Sequence, residues 1–227
     1  MIATFRRQNL EKAIFLAATV GLGCHEAREP ASPVPGARSA GPPLARAGSP
    51  SIVGTVLVSS TGKPPTDGGV VYLEDAPKEP GMARTATIDV YHKEFSPFIS
   101  VITTGGSVTF GNKDALTHHV FSPDVRDWDT GYIQKNGTAS KTFETAGTIA
   151  LLCNIHPEML GYLLVIPSTY FGKLAPDGKY AIANVPSGTY RATVWAPRLR
   201  PATQSVTVTP PGSATANFEL LPAGSTN

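Results

Sequence analysis

"LLCNIHPEMLGYLLV", residues 151–165, sets a cysteine, a histidine and a methionine three residues apart between two apolar runs. "TIALLC" (148–153) leads into this loop and "GYLLVI" (161–166) leads out of it. Both flanks are short, aliphatic and bounded by glycine or proline, which reads as strand, loop, strand. Cys153, His156 and Met159 therefore share one turn of chain. Thiolate and thioether sulfur favour cuprous ion, and imidazole suits both copper oxidation states. A plane of one cysteine and two histidines with a long axial methionine is the donor set of an electron-transfer copper site. Singly, each residue has a plainer use: a buried cysteine is a small hydrophobe and a methionine fills gaps. Their grouping in one loop is what points to metal.

The fourth donor is expected to be a histidine from another strand. The chain has five: His25, His92, His118, His119 and His156. His25 lies in a proline-rich stretch, whereas His118 and His119 lie in "NKDALTHHVFSP" (112–123). Either of these two can supply the fourth donor to a site that already holds Cys153, His156 and Met159. Zinc more often uses further cysteines or histidines in a closed tetrahedral cluster. A c-type haem needs a second cysteine. A cysteine nucleophile with His118 or His119 as base leaves Met159 without a role.

Outward from this loop, the chain after residue 23 shows no sustained helical periodicity. Short β-prone runs alternate with turn residues, helped by 22 glycines and 21 prolines, so the fold class is all-β with sandwich architecture. Formal charge is +2, all of it from Arg6, Arg7, Glu11 and Lys12, so the remainder balances. No basic patch argues for nucleic acid. "MIATFRRQNLEK" (1–12) and "AIFLAATVGLG" (13–23) have the charged lead and short apolar core of an export signal. Cys24 follows, where a lipoprotein signal places its lipidated cysteine, although Gly21 departs from that motif. Residues 24–50 read as a proline- and alanine-rich tether. Cys153 is then expected to be a free thiol, and a free thiol in an oxidising compartment needs a reason to survive.

"AGTIALLCNIHPEMLGYLLV" (146–165) and "GGSVTFGNKDALTHHVFS" (105–122) resemble the two ligand-bearing segments of the cupredoxins, in the plastocyanin and amicyanin branch. The short C-x-x-H-P-x-M loop is amicyanin-like. The resemblance covers about residues 84–167 and implies a Greek-key sandwich holding one type 1 copper ion. It also implies electron carriage without substrate turnover, between redox partners such as a c-type cytochrome or a dehydrogenase. By this match the ligands are His118, Cys153, His156 and Met159, because the family's ligand histidine precedes an Asn-Val or Asn-Ile pair, and period two supports His118 if Val120 points inward. His119 stands where the family has an asparagine that ties the two ligand loops together, and it is expected either to make that tie through a ring nitrogen or to compete for the metal. Ile155, Pro157, Leu160 and Trp128 are the expected apolar docking rim around His156.

"SIVGTVLVSSTGKPPTDGGVVYLED" (51–75) and "APDGKYAIANVPSGTYRATVWAP" (175–197) resemble the two halves of a carboxypeptidase-regulatory-like β-sandwich. Neither half has enough strands to close alone. The expected organisation is a signal peptide at 1–23, a tether at 24–50 and one discontinuous sandwich from 51–78 and 168–221. The cupredoxin unit (79–167) interrupts that sandwich, and a tail covers 222–227. Tyr180, Ile182, Tyr190, Ala192 and Val194 are expected in the flanking core, with Trp195 on the opposite face or at an edge. The expected function is an exported, periplasmic or cell-surface one-electron carrier, anchored to the membrane through Cys24. The alternatives are a carrier that delivers copper, and an interaction module in which copper is structural.

Overall fold

The computed structural model describes residues 50–77, 83–210 and 212–224. The signal, Cys24, His25, Met82 and most of the tether lie outside these residues. No helix occurs among the described residues, and none is long and apolar enough to cross a membrane. The strands are β1 (Ser51–Val58), β2 (Val70–Leu73), β3 (Ala86–Tyr91), β4 (Glu94–Ser96), β5 (Ile99–Thr103) and β6 (Gly106–Asn112). They continue with β7 (Val120–Phe121), β8 (Thr138–Phe143), β9 (Gly147–Cys153), β10 (Leu160–Ile166) and β11 (Phe171–Lys173). The last are β12 (Lys179–Ile182), β13 (Gly188–Trp195), β14 (Ala202–Val208), β15 (Ser213–Thr215) and β16 (Phe218–Leu220).

Four sheets result. Two carry the middle of the chain, in the orders β4-β3-β6-β8 and β5-β10-β9-β7. The other two join the chain's ends: β11-β2-β13-β14, and β12-β1-β15 with β16 also on β1. β1 pairs with β12, β15 and β16, and β2 pairs with β11 and β13, so neither forms a ladder with strands 86–166.

The apolar residues separate into three clusters. Ile52, Val56, Tyr180, Ile182, Tyr190, Ala192 and Val194 lie in the first, between the two end-joining sheets. Ile88, Val90, Phe110, Leu151 and Leu163 lie in the second, between the two middle sheets, together with Cys153 and Met159. The third consists of Val70, Ile99, Val101, Leu164, Ile166, Phe171 and Trp195, and it joins one sheet of each pair. Trp195 thus faces away from the core that Tyr190, Ala192 and Val194 enter, as strand alternation requires. Across this junction the Lys173 ammonium donates to the Ile99 carbonyl at 3.0 Å. Burial, with Arg84 nearby, holds the Lys173 pKa below the usual lysine range.

β1 shows how one position shapes its sheet. Gly54 sits opposite Tyr180, and a β-carbon there would stand 1.8 Å from the Ala216 carbonyl oxygen. The bare backbone lets the chain between β15 and β16 cross close to β1, where Ala216 N donates to the Val53 carbonyl. The buried Tyr180 hydroxyl donates to that same Ala216 carbonyl at 2.6 Å. Burial pushes the Tyr180 pKa well above its ordinary value, so the native state favours the neutral phenol. This contribution is intact below the unfolded tyrosine range near pH 10 and is lost as pH rises above it. Tyr180→Phe is expected to cost about 1–2 kcal/mol at neutral pH. It should also flatten the fall in stability above about pH 10, as read by urea unfolding at the two pH values.

Candidate metal centre

β9 alternates inward Ile149, Leu151 and Cys153 with outward neighbours, so the strand delivers its last inward position to the top of the core. β7 lies antiparallel beside it, with Val120 opposite Cys153. Val120 is fully buried, and His118, two residues earlier, shares its face and is also fully buried. The His118 backbone is held in both directions: its N–H donates to the Ile133 carbonyl at 3.1 Å, and its carbonyl accepts from Ile133 N at 2.7 Å. The loop after β9 then turns back, with Met159 N donating to the His156 carbonyl at 3.0 Å. This turn brings His156, half-buried, over the same point.

Three donor atoms converge. Cys153 Sγ lies 3.8 Å from His118 Nδ1 and 3.8 Å from His156 Nδ1, and the two Nδ1 atoms are 3.2 Å apart. The point equidistant from the three lies in their plane at about 2.1 Å from each, within the 2.0–2.3 Å spread of metal bonds to nitrogen and thiolate. The donor set therefore fits one ion. Among the described residues this is the one His, Cys, Asp and Glu grouping compact enough for that. Met159 is buried in the same cluster as Cys153, and Cys153 is a free thiol.

The surroundings set the histidine chemistry. His118 Nε2 stands 3.0 Å from Asp114 Oδ2, which assigns the ring proton to Nε2 and leaves the Nδ1 lone pair facing the cluster. Burial lowers the His118 pKa against the opposing pull of Asp114, so the ring stays neutral, the form that binds metal. Asp114 also accepts from the backbone N–H groups of His92 at 2.7 Å and Lys93 at 2.9 Å. Burial alone would raise the Asp114 pKa, but the bonds from Lys93, His92 and His118 bring it below the usual carboxylate range. Asn112 fixes this segment: its Oδ1 accepts from Asp114 N, and its Nδ2 donates to the Leu116 and Ile133 carbonyls. The sequence reading assigned no role to Asp114. The carboxylate four residues before a candidate ligand histidine was the available signal.

Two expectations are corrected in detail. Trp128 does not belong to the rim: its ring packs against Phe110 and Phe143 at centroid distances of 5.7 and 5.6 Å. The His119 ring points away from the donor cluster. Its Nε2 approaches Asp129 Oδ1 at 3.1 Å, an ion-pair distance without a well-aligned hydrogen bond, and its ring meets Tyr132 edge-on. The two ligand loops are nevertheless tied at this residue, because the His119 carbonyl accepts from Asn154 N at 3.0 Å. A backbone bond supplies the tie that the family's asparagine side chain was expected to give.

Residues 168–217 match the sequence family described as polysaccharide lyase family 4, domain II, in place of the carboxypeptidase-regulatory family expected there. No curated protein matches the chain significantly. Among solved structures, the chain is similar to a purple cupredoxin from Nitrosopumilus maritimus. The identity is 22% and the TM-score 0.33, over 35% of this chain and 98% of that one. It is similar to an oxidised amicyanin variant at 24% identity and TM-score 0.33, over 36% and 81%. A copper-containing nitrite reductase from Thermus scotoductus matches at 25% identity and TM-score 0.34, over 36% of this chain and 22% of the enzyme.

His118→Ala is expected to abolish stoichiometric copper binding, whereas His119→Ala should leave it within a few-fold. Copper titration of the two full-length variants decides between the neighbours, and loss on His119→Ala would reverse the assignment.

Proposed function

We propose that the protein is a one-electron carrier holding a single copper ion at His118, Cys153, His156 and Met159. The observation that carries this reading is the Cys153, His118 and His156 triangle, whose three atoms share one equidistant point at bonding distance. Bound there, copper would cycle between its cuprous and cupric forms, with the thiolate as its main electronic link to the chain. The chain's own part is rigidity. The backbone of His118 is locked to Ile133, its ring is held by Asp114, and the Asn154–His119 bond fixes one ligand loop to the other. A donor set that does not rearrange serves both oxidation states.

The surface at this end suits a transient apolar encounter. Ile155 and Leu160, which bracket the His156–Met159 segment, are exposed, as are Leu116 and Tyr132 on neighbouring segments. Lys93 faces Glu158 at 3.5 Å, and the Asp129 carboxylate stands beside the His119 ring. Partners would be an electron donor and an electron acceptor that dock over half-buried His156. In this reading the protein performs no turnover of its own.

Cupric loading of the full chain is expected to give an intense visible thiolate-to-copper band that bleaches reversibly on reduction with the metal retained. Cys153→Ser should remove the band while the far-ultraviolet dichroism stays β. A colourless wild type defeats the proposal, and loss of the metal on reduction would favour a delivery role.

The location belongs to the same proposal: an exported protein carried on the 24–50 tether and anchored at Cys24. Cys24→Ala is expected to move the protein from the membrane to the soluble fraction. A wild type already found in the soluble fraction would leave export without an anchor.

A further inference from the structure

The turn between β3 and β4 touches neither cysteine nor histidine donors, yet it is built into their support. His92 and Lys93 have φ of 52° and 59°, a left-handed pair. Side chains other than glycine rarely adopt this conformation, and asparagine or glycine is usual at such positions. Successive residues of this kind point their N–H groups to one side and make a small anion-binding concavity. Asp114 fills it: His92 N donates to Oδ1 at 2.7 Å and Lys93 N to Oδ2 at 2.9 Å. Oδ2 also takes the His118 Nε2 proton at 3.0 Å. Asp114 is buried, so these three donors decide which way the carboxylate faces. The strand that leads into the turn is tied to the segment that leads to Asp114, because Lys113 N, just past β6, donates to the Val90 carbonyl of β3 at 2.8 Å.

We propose that the β3–β4 turn is a positioning element of the metal centre. Through its two N–H groups it orients the Asp114 carboxylate, and Asp114 fixes both the tautomer and the rotation of His118. The proposal rests on the copper reading for its loaded-state consequences, but the tautomer of His118 follows from the turn without metal. The backbone of Lys93 carries the effect, more than its charge does. Its ammonium reaches Glu158 on the other ligand loop at 3.5 Å, but both side chains are about half exposed, and such a pair contributes little.

Two substitutions at one position separate the possibilities. Lys93→Gly keeps the N–H and favours the left-handed φ while deleting the charge. Lys93→Pro removes the N–H and forces φ negative. In the apo protein, long-range proton–nitrogen correlation spectra read the His118 tautomer directly. Wild type and Lys93→Gly are expected to show the proton on Nε2. Lys93→Pro and Asp114→Ala are expected to show a mixture of tautomers. With copper, Asp114→Ala should weaken binding about 10–100-fold, and Lys93→Pro should follow it in direction, with altered copper hyperfine splitting. Lys93→Gly should stay within a few-fold of wild type. If Lys93→Pro fails to fold, Lys93→Val replaces it, because a β-branched residue resists positive φ while keeping the N–H. A wild-type tautomer in a folded Lys93→Pro or Lys93→Val protein overturns the proposal. Equal effects of Lys93→Gly and Lys93→Pro would also overturn it, by assigning the role to the charge. A wild type without the thiolate–copper band defeats the copper reading alone, and the apo spectra still decide the role of the turn.

Discussion

The parallel pair of β5 and β10 is buried on both faces, and the rest of the arrangement depends on that constraint. Ile102, Leu163 and Val165 face the cluster that contains Cys153 and Met159. Ile99, Val101, Leu164 and Ile166 face the cluster shared with Val70, Phe171 and Trp195. A strand covered on one side alternates apolar with polar, and one covered on both sides does not. The runs "ISVI" (99–102), interrupted only by buried Ser100, and "LLVI" (163–166) are the imprint of that double cover. The pair therefore serves as an inner wall common to the sheets that carry the donor cluster and to the sheets formed by the two ends of the chain.

The donor cluster hangs from this wall. β10 begins at Leu160, immediately after Met159, and β9 pairs with it through to Leu152, next to Cys153. The ligand loop is thus the short closure of a ladder whose far side is locked in place. Positioning on strands is more precise than positioning on free loops, and a set of donors that must meet at one point needs that precision. Two buried polar side chains at this end have all their partners within the protein. Asn112 and Asp114 spend their side chains on backbone N–H groups, carbonyls and one imidazole. An anionic carboxylate sits beside a neutral ring, and the lone pair on the ring's other side stays available.

The sequence was informative where chemistry is local and silent where it is long-range. The spacing of Cys153, His156 and Met159 could be read directly, because one turn of chain determines it. The choice of His118 over His119 came from the family resemblance and was supported by two-residue alternation, which the buried face of Val120 obeys. Only the four-residue spacing to His118 could have pointed to Asp114, because its other partners, the backbone N–H groups of His92 and Lys93, are more than twenty residues away and carry no residue signature. The same holds for His119, whose tie to the ligand loop runs through its carbonyl. Trp128 was misplaced because an aromatic residue in a polar, aspartate-rich stretch looks exposed, whereas its ring lies over Phe110 and Phe143. The five flanking core residues were legible from period two, since each of those strands presents one face to a single cluster.

β2 and β11 are antiparallel neighbours with Tyr72 opposite Phe171, and the ladder continues into a bond from Leu73 N to the Tyr170 carbonyl. The Ser168 hydroxyl closes the gap by donating to the Leu73 carbonyl at 2.6 Å. In an ordinary antiparallel pair these two strand ends would be joined by a turn of two to five residues. Here the whole sandwich that holds the Cys153, His118 and His156 cluster stands where that hairpin turn would be. Chain lengthening at a hairpin tip leaves the ladder beneath it unaltered and adds little closure entropy for each doubling of length. The architecture is therefore modular: the strands below keep their register whatever length of chain is carried at that tip.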